Sequence, residues 1–293
     1  MKYQQTPWKA DARDSKFTKV AFGATRLALP MFPKTLNTPR LKVKDQGGSL
    51  SCTAQASTLA AEHLECIPLS AEWQWMQTCK KLGTAVPNGA DYRVAFGIHT
   101  KLGALAQEAA PFRFPESDYQ QIGNWELWPQ IPAEETEKYR KAAYIRIPRV
   151  GDHFDSMRAA LLRGKEKRQI VVACTRWFYE WATKFIPSND LYTSFAGYHC
   201  HTFIDFCIID GREYLIGQNS YGENFGDHGL QYWPRDTVNK ELSQYGCGAF
   251  VFEDLTEEQL ALARQETPLG RIQRAIIEIW WVLTKTYGSL RRT

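Results

Sequence analysis

Among the 293 residues there is no Cys-x-x-Cys pair, no block of lysine and arginine, no internal repeat and no apolar run of bilayer length. Each absence closes off a class of protein. Structural zinc sites ordinarily draw on closely paired thiolates, whereas the seven cysteines (52, 66, 79, 174, 200, 207 and 247) are scattered and odd in number. A net charge of +4 with no basic cluster argues against nucleic-acid binding. The opening MKYQQTPWKADARDSKF lacks the apolar core of a secretory leader. A reducing compartment with free thiols is therefore expected. No cofactor is expected either.

What is present is the composition of an ordinary globular chain, 44% apolar and 23% charged. Residues 1–40, with Pro30, Pro33 and Pro39, read as an extended arm. Residues 41–135 read as a helical lobe. Helices are predicted after Ser51, at SAEWQWMQTCKKLG with Ser70 as its start and Gly83 as its stop, and near RVAFGIHTKLG. Residues 136–255 change period. AAYIRIP, QIVVACT, HTFIDFCII, REYLIGQNS, LQYWP and GAFVFED are short, β-branched or aromatic, and bounded by turn residues. Asp210-Gly211 is a hairpin signal, and HFDSMRAALLRG is a helix ahead of QIVVACT. Residues 256–293 form a separate tail in which Ile272, Ile276, Ile279 and Leu283 recur at helical spacing beside Trp280 and Trp281. The plain reading is a helix packed on its own domain. The sharper one is a helix across 268–288 that docks a partner protein or a membrane surface.

Two stretches carry chemistry. In VKDQGGSLSCTAQA, Val43 to Ala56, a small polar loop runs into a helix with Cys52 at its start. A thiol is a poor nucleophile near its free pKa of about 8.5, and a helix N-terminus favours the thiolate. An imidazole must pair with the sulfur and later protonate the leaving group. An amide donor nearby, such as Gln46, would stabilise an oxyanion by roughly two to three decades in rate. The second stretch, GYHCHTFIDFCIIDGREYLIGQNSYGENFGDHG, offers His199 and His201 on one strand and Asn219 on the next. Taken singly, Cys52 reads as a core cysteine, Gln46 as a surface residue and Asn219 as a turn cap.

Taken together they resemble a family. Gln-(five residues)-Cys-Thr-Ala, then Gly-x-His, then Asn-Ser-aromatic-Gly-x-x-aromatic-Gly-x-x-Gly is similar to the papain-like cysteine peptidases, especially their bacterial and phage branch. The likeness runs from about Lys42 to Asp254. It implies an α+β fold of two lobes, helical then antiparallel β, with the cleft between them. It also implies Cys52 as nucleophile, His199 as acid and base, Asn219 as orienter of the imidazole, and Gln46 with the Cys52 backbone N–H as oxyanion hole. Tyr221 takes the place of the tryptophan that shields the Asn–His hydrogen bond. Ser49 stands where the family has a disulfide cysteine, and Leu50 where it has a glycine. Leu50 puts a bulky side chain beside the cleft floor and leaves specificity open. The segment before Gln46 is too short for the family's helical prodomain.

Alternation cannot separate His199 from His201, because both point to one face of their strand. With a two-residue turn at Asp210-Gly211, Asn219 falls opposite Thr202, on the wrong face for either histidine; a bulge would repair this for either. The Gly-x-His context favours His199. His63, His99, His153 and His228 read as structural or surface residues. The set His199, Cys200, His201, Asp205 and Cys207 matches no common metal-ligand spacing. The expected function is hydrolysis of a protein or peptide substrate through a thioester, in a cytoplasm or associated with a virion. The alternatives are a papain-fold amidase or isopeptidase, and a catalytically retired binding module, for instance of a phage particle.

Overall fold

Helices come first among the described residues, ahead of the sheet. The structure, a computed structural model, describes residues 35–147, 152–183, 185–187, 194–244 and 246–254. The arm before residue 35 and the tail from 255 onward lie outside the described residues. Helix α1 (Cys52–Glu65) begins at the cysteine itself and is buried along most of its length. Ser51 precedes it but makes no side-chain cap, contrary to the sequence expectation. Its hydroxyl pairs with that of Ser49 at 2.7 Å and accepts from Gln55 Nε2 at 3.2 Å. Helix α2 (Ala71–Leu82) is opened by Ser70, whose hydroxyl accepts the Trp73 N–H, and closed by Gly83 at φ 73°. Helix α3 (Tyr92–Lys101) is capped by the Asp91 carboxylate. Two five-residue helices, α4 (Tyr119–Gly123) and α5 (Ala133–Glu137), were not legible, since so short a segment shows no helical period. A core of Trp73, Trp75, Met76, Cys79, Ile98, Leu105, Ile122 and Trp128 holds these helices together.

The second half is one six-stranded antiparallel sheet in the order β1-β6-β2-β3-β4-β5. Its strands are β1 (Ala143–Arg146), β2 (Val171–Phe178), β3 (Phe195–Ile209), β4 (Arg212–Gln218), β5 (Leu230–Pro234) and β6 (Gly248–Glu253). Helix α6 (His153–Gly164) lies between β1 and β2 in the chain. Helix α7 (Arg235–Leu242), between β5 and β6, escaped the sequence reading because its segment RDTVNKEL holds only two apolar residues. Alternation sends Val171, Ala173 and Trp177 to one face, where they meet α6 and α7 through Phe154, Met157, Leu161 and Leu242. Val172 and Cys174 go to the other face, against Cys52, Ala56, Leu59, Tyr92 and Phe96 of α1 and α3. Helix α1 is thus clamped between the helical core and the sheet.

Two features of β3 position the site. Ile209 pairs with Arg212 across Asp210 (φ 48°) and Gly211 (φ 75°), a two-residue hairpin turn with both central residues left-handed. Further along, the register shifts between Phe203 and Asp205, so that Thr202 faces Gln218 rather than Asn219. This bulge moves Asn219 by one position and therefore onto the histidine face. The second feature corrects an expectation. Cys174 and Cys200 sit directly opposite each other, with Cα atoms 4.3 Å apart, and form a disulfide; Cys52, Cys66, Cys79, Cys207 and Cys247 are not disulfide-bonded. Spacing along the chain could not reveal this pair, because only the β2–β3 register brings the two side chains together.

Candidate active site

The site is assembled where three segments meet. The segment 42–46 runs alongside the loop after β4: the Gly222 N–H donates to the Lys44 carbonyl at 3.0 Å, and the Gln46 N–H donates to the Ser220 carbonyl at 2.8 Å. Two glycines of the Asn-Ser-Tyr-Gly run permit this approach. At Gly229 (φ 86°) a Cβ would lie 2.6 Å from the Val43 methyls, and at Gly222 (φ 77°) one would lie 2.8 Å from the Asp45 carboxylate. Farther upstream, Asp205 at the bulge accepts from the Thr35 hydroxyl and from the Leu36 and Thr38 N–H groups at 2.8–3.0 Å. The loop 46–51 then leads into Cys52.

Gln46 is buried and held at both ends of its side-chain amide. Its Nε2 donates to the Ser49 carbonyl at 2.7 Å, and its Oε1 accepts from the Ser220 hydroxyl at 2.7 Å. The Ser49 hydroxyl donates back to the Gln46 carbonyl at 2.7 Å. Ser49 thus ties the loop with hydrogen bonds through both its carbonyl and its hydroxyl. The Gly48 N–H donates to the Tyr119 hydroxyl, which braces the loop from α4.

The structure separates the two histidines. His199 Nε2 donates to Asn219 Oδ1 at 2.8 Å, which leaves Nδ1 as the basic nitrogen. His201 is not joined to Asn219: its Nε2 lies 3.3 Å from the Thr175 hydroxyl, and its ring stacks on Trp233 at 4.6 Å. Asn219 is fixed in turn, its Oδ1 also accepting the Ser220 N–H and its own N–H donating to Gly229. Cys52, at the other wall, makes a backbone contact with Cys200, the residue after His199. The candidate nucleophile thus touches the residue that follows His199 on β3.

Burial dominates the electrostatics. It pushes the Cys52 thiol up to about 11 against the pull of backbone hydrogen bonds from Cys200, Thr53 and Cys52 itself. It also pushes His199 down to about 4, opposed by the Asn219 hydrogen bond. The resting pair is thiol and neutral imidazole. A thiol at a helix start, an imidazole oriented by an amide, and a clamped glutamine form a donor set suited to nucleophilic attack on an acyl carbon.

Some contacts were not legible in advance. Trp177, from β2, lies 4.7 Å from the His199 ring, and nothing in its own stretch signals that. The Ser220 link to Gln46 was hidden inside the Asn-Ser-aromatic run. The Tyr221 ring stacks on His199 at 4.8 Å and 18°, as expected of a shielding aromatic, and its hydroxyl reaches to 3.0 Å from Nδ1.

A helical half carrying a thiol at a helix start, packed on an antiparallel sheet carrying the His–Asn pair, is the papain-like cysteine protease fold, and the described residues have it. The match to xylellain, a cysteine protease from Xylella fastidiosa, has a TM-score of 0.69 at 20% identity, covering 87% of this chain and 96% of that one. Procathepsin B S9 from Trypanosoma congolense matches at 0.60 and 15% identity, over 84% and 85% of the two chains. Bromelain protease from Ananas comosus matches at 0.53 and 18% identity, over 76% and 100%. No family model matches the chain, and no curated protein matches it by sequence.

Proposed function

We propose that this chain is a cysteine peptidase. Cys52 Sγ attacks the carbonyl carbon of a peptide bond while His199 Nδ1 takes the thiol proton. His199 then returns that proton to the leaving amine, and the acyl group stays on sulfur as a thioester. Water, deprotonated by the same nitrogen, releases the acid. Asn219 keeps the imidazole in the tautomer with hydrogen on Nε2. Gln46 Nε2 and the Cys52 N–H stabilise the oxyanion. The observation that carries this reading is the 2.8 Å bond from His199 to Asn219 beside a helix that begins at a cysteine.

A retired binding module is the second reading. The burial that holds Cys52 protonated and His199 neutral favours it. Intact-mass labelling with an epoxide that traps papain-type thiols separates the two, run on wild type, Cys52→Ala, His199→Ala and His201→Ala. Single rapid labelling that is lost in the first two variants and kept in the third supports the peptidase. Loss in His201→Ala instead moves the base to that residue, and labelling no faster than an ordinary exposed cysteine favours the retired site. Hydrolysis of an unfolded protein by the labelled and unlabelled forms then tests the substrate class.

A further inference from the structure

A cavity of about 360 Å³ lies beside the loop that carries Gln46, lined by the segment 41–45, by helix α1 and by residues 113–116. Gln55 and Glu62, two turns apart on α1, line it and are buried, 1% and 4% exposed. Each has an acceptor left over. Gln55 donates through Nε2 to the Ser51 hydroxyl, and its Oε1 has no partner among the described residues. Glu62 Oε1 accepts from both the Lys44 ammonium and the Leu69 N–H at 2.8 Å, and its Oε2 has no partner among them either. On another wall, Glu72 is held by Ser70, Gln107 and the Phe114 N–H. The Arg113 guanidinium rests only on the Ala110 and Phe112 carbonyls and pairs with no carboxylate of the described residues. Val43, Ile67 and Phe114 add apolar surface. Acceptors buried without a donor are costly, so this lining is suited to a ligand that brings donors.

Gln55 also begins a path to the proposed oxyanion donor. The Ser49 hydroxyl gives its hydrogen to the Gln46 carbonyl, so in the 2.7 Å pair of hydroxyls Ser51 is the donor. The chain therefore runs one way, from Gln55 Nε2 through Ser51 and Ser49 to Gln46, and each link polarises the next. A donor placed on Gln55 Oε1 strengthens every link after it. We propose that this cavity is an effector site for a short peptide with free ends, and that its occupation firms the hold on Gln46. The ammonium takes Glu62 Oε2, a backbone N–H takes Gln55 Oε1, and the terminal carboxylate takes Arg113. Along α1 the two acceptors stand about 10 Å apart. That is the length of about three extended residues. Peptides with free ends are what the proposed hydrolysis releases. The effect on rate rests on the peptidase reading; the binding does not.

Calorimetric titration of full-length Cys52→Ala, which cannot cleave the probe, with the tripeptide alanyl-leucyl-alanine tests the binding. One site is expected. The N-acetyl and C-terminal amide forms of the probe should each bind about tenfold more weakly, the loss of one charged hydrogen bond. Adding Arg113→Gln should weaken the free tripeptide by the same factor and cost the amide form nothing further. Absent binding, or binding as tight with Arg113→Gln as without it, overturns the site and leaves its acceptors to water. The second arm is steady-state hydrolysis, by wild type, of a peptide blocked at both ends. The tripeptide is expected to raise kcat about two- to fivefold, and Gln55→Met to abolish that rise. An unmoved kcat with binding intact overturns the effector role. Absence of hydrolysis with or without the tripeptide, binding intact, overturns the peptidase reading and the effect on rate while supporting the site itself.

Discussion

Gln46 has one side-chain amide, and two polar groups hold it. Ser49 takes one hydrogen of Nε2 and Ser220 occupies Oε1, so the amide plane is fixed and its second hydrogen has one direction left. A donor held this way costs no reorganisation when charge develops nearby. Gln46→Ala is expected to lower kcat of peptide hydrolysis by about 10² to 10³ with KM little changed, as steady-state kinetics would show. An equal loss through KM alone would remove Gln46 from the oxyanion role. Asn219→Ala frees the imidazole to rotate and is expected to lower kcat as well, while His201→Ala costs stability and spares the chemistry. His201 is packed between Trp233 and Phe203 and bonded to Thr175, a core residue in its surroundings.

A single inserted residue in β3 sets the register of Asn219 against His199. Without the shift between Phe203 and Asp205, the two-residue turn would aim Asn219 to the opposite face. Deleting Ile204 is therefore expected to abolish epoxide labelling of Cys52 while far-ultraviolet circular dichroism still reports the sheet. Retained labelling would show that the bulge does not place the pair. The Cys174–Cys200 bond closes a loop of 26 residues between β2 and β3. Restricting the unfolded chain over that length is worth about 3 kcal/mol. Urea unfolding of Cys174→Ala/Cys200→Ala against the oxidised protein is expected to show a loss of that order. An unchanged midpoint would mean that the bond does not form or does not constrain the unfolded chain.

Across the whole molecule, burial keeps two histidines of the helical half neutral. Loss of solvation pushes His63 down to about 4, with Arg168 adding to it, and His99 down to about 3, with Lys141 adding to it. Unfolding returns both toward their ordinary 6.5, so below that value the unfolded chain binds more protons than the folded one. Their contribution is full above pH 6.5 and is lost as pH falls toward 4 and then 3. A decrease on the order of several kcal/mol from pH 7 to pH 4 is expected in chemical denaturation. His99→Gln should flatten that slope, and a variant as acid-sensitive as wild type would place the effect elsewhere. Lys141, buried between Glu65 and Asp254, ties α1 to the chain after β6.

Local chemistry made the main elements readable. Ser70 and Gly83 mark the ends of α2, Asp210-Gly211 marks the hairpin, and alternating β-branched and aromatic residues mark the strands. The loop from Gln46 to Cys52 and the Asn-Ser-Tyr-Gly run were visible for the same reason, since their residues are close in the chain. Other features were decided only by contacts between segments that are separate in the chain. The bulge at Ile204 turned Asn219 to the face that His199 and His201 share, the side-chain hydrogen bond then joined it to His199, the β2–β3 register paired Cys174 with Cys200, and folding brought Trp177 and the Tyr221 hydroxyl onto the imidazole. A strand's period of two leaves its side chains on either face until one long-range shift of register settles which face meets the partner.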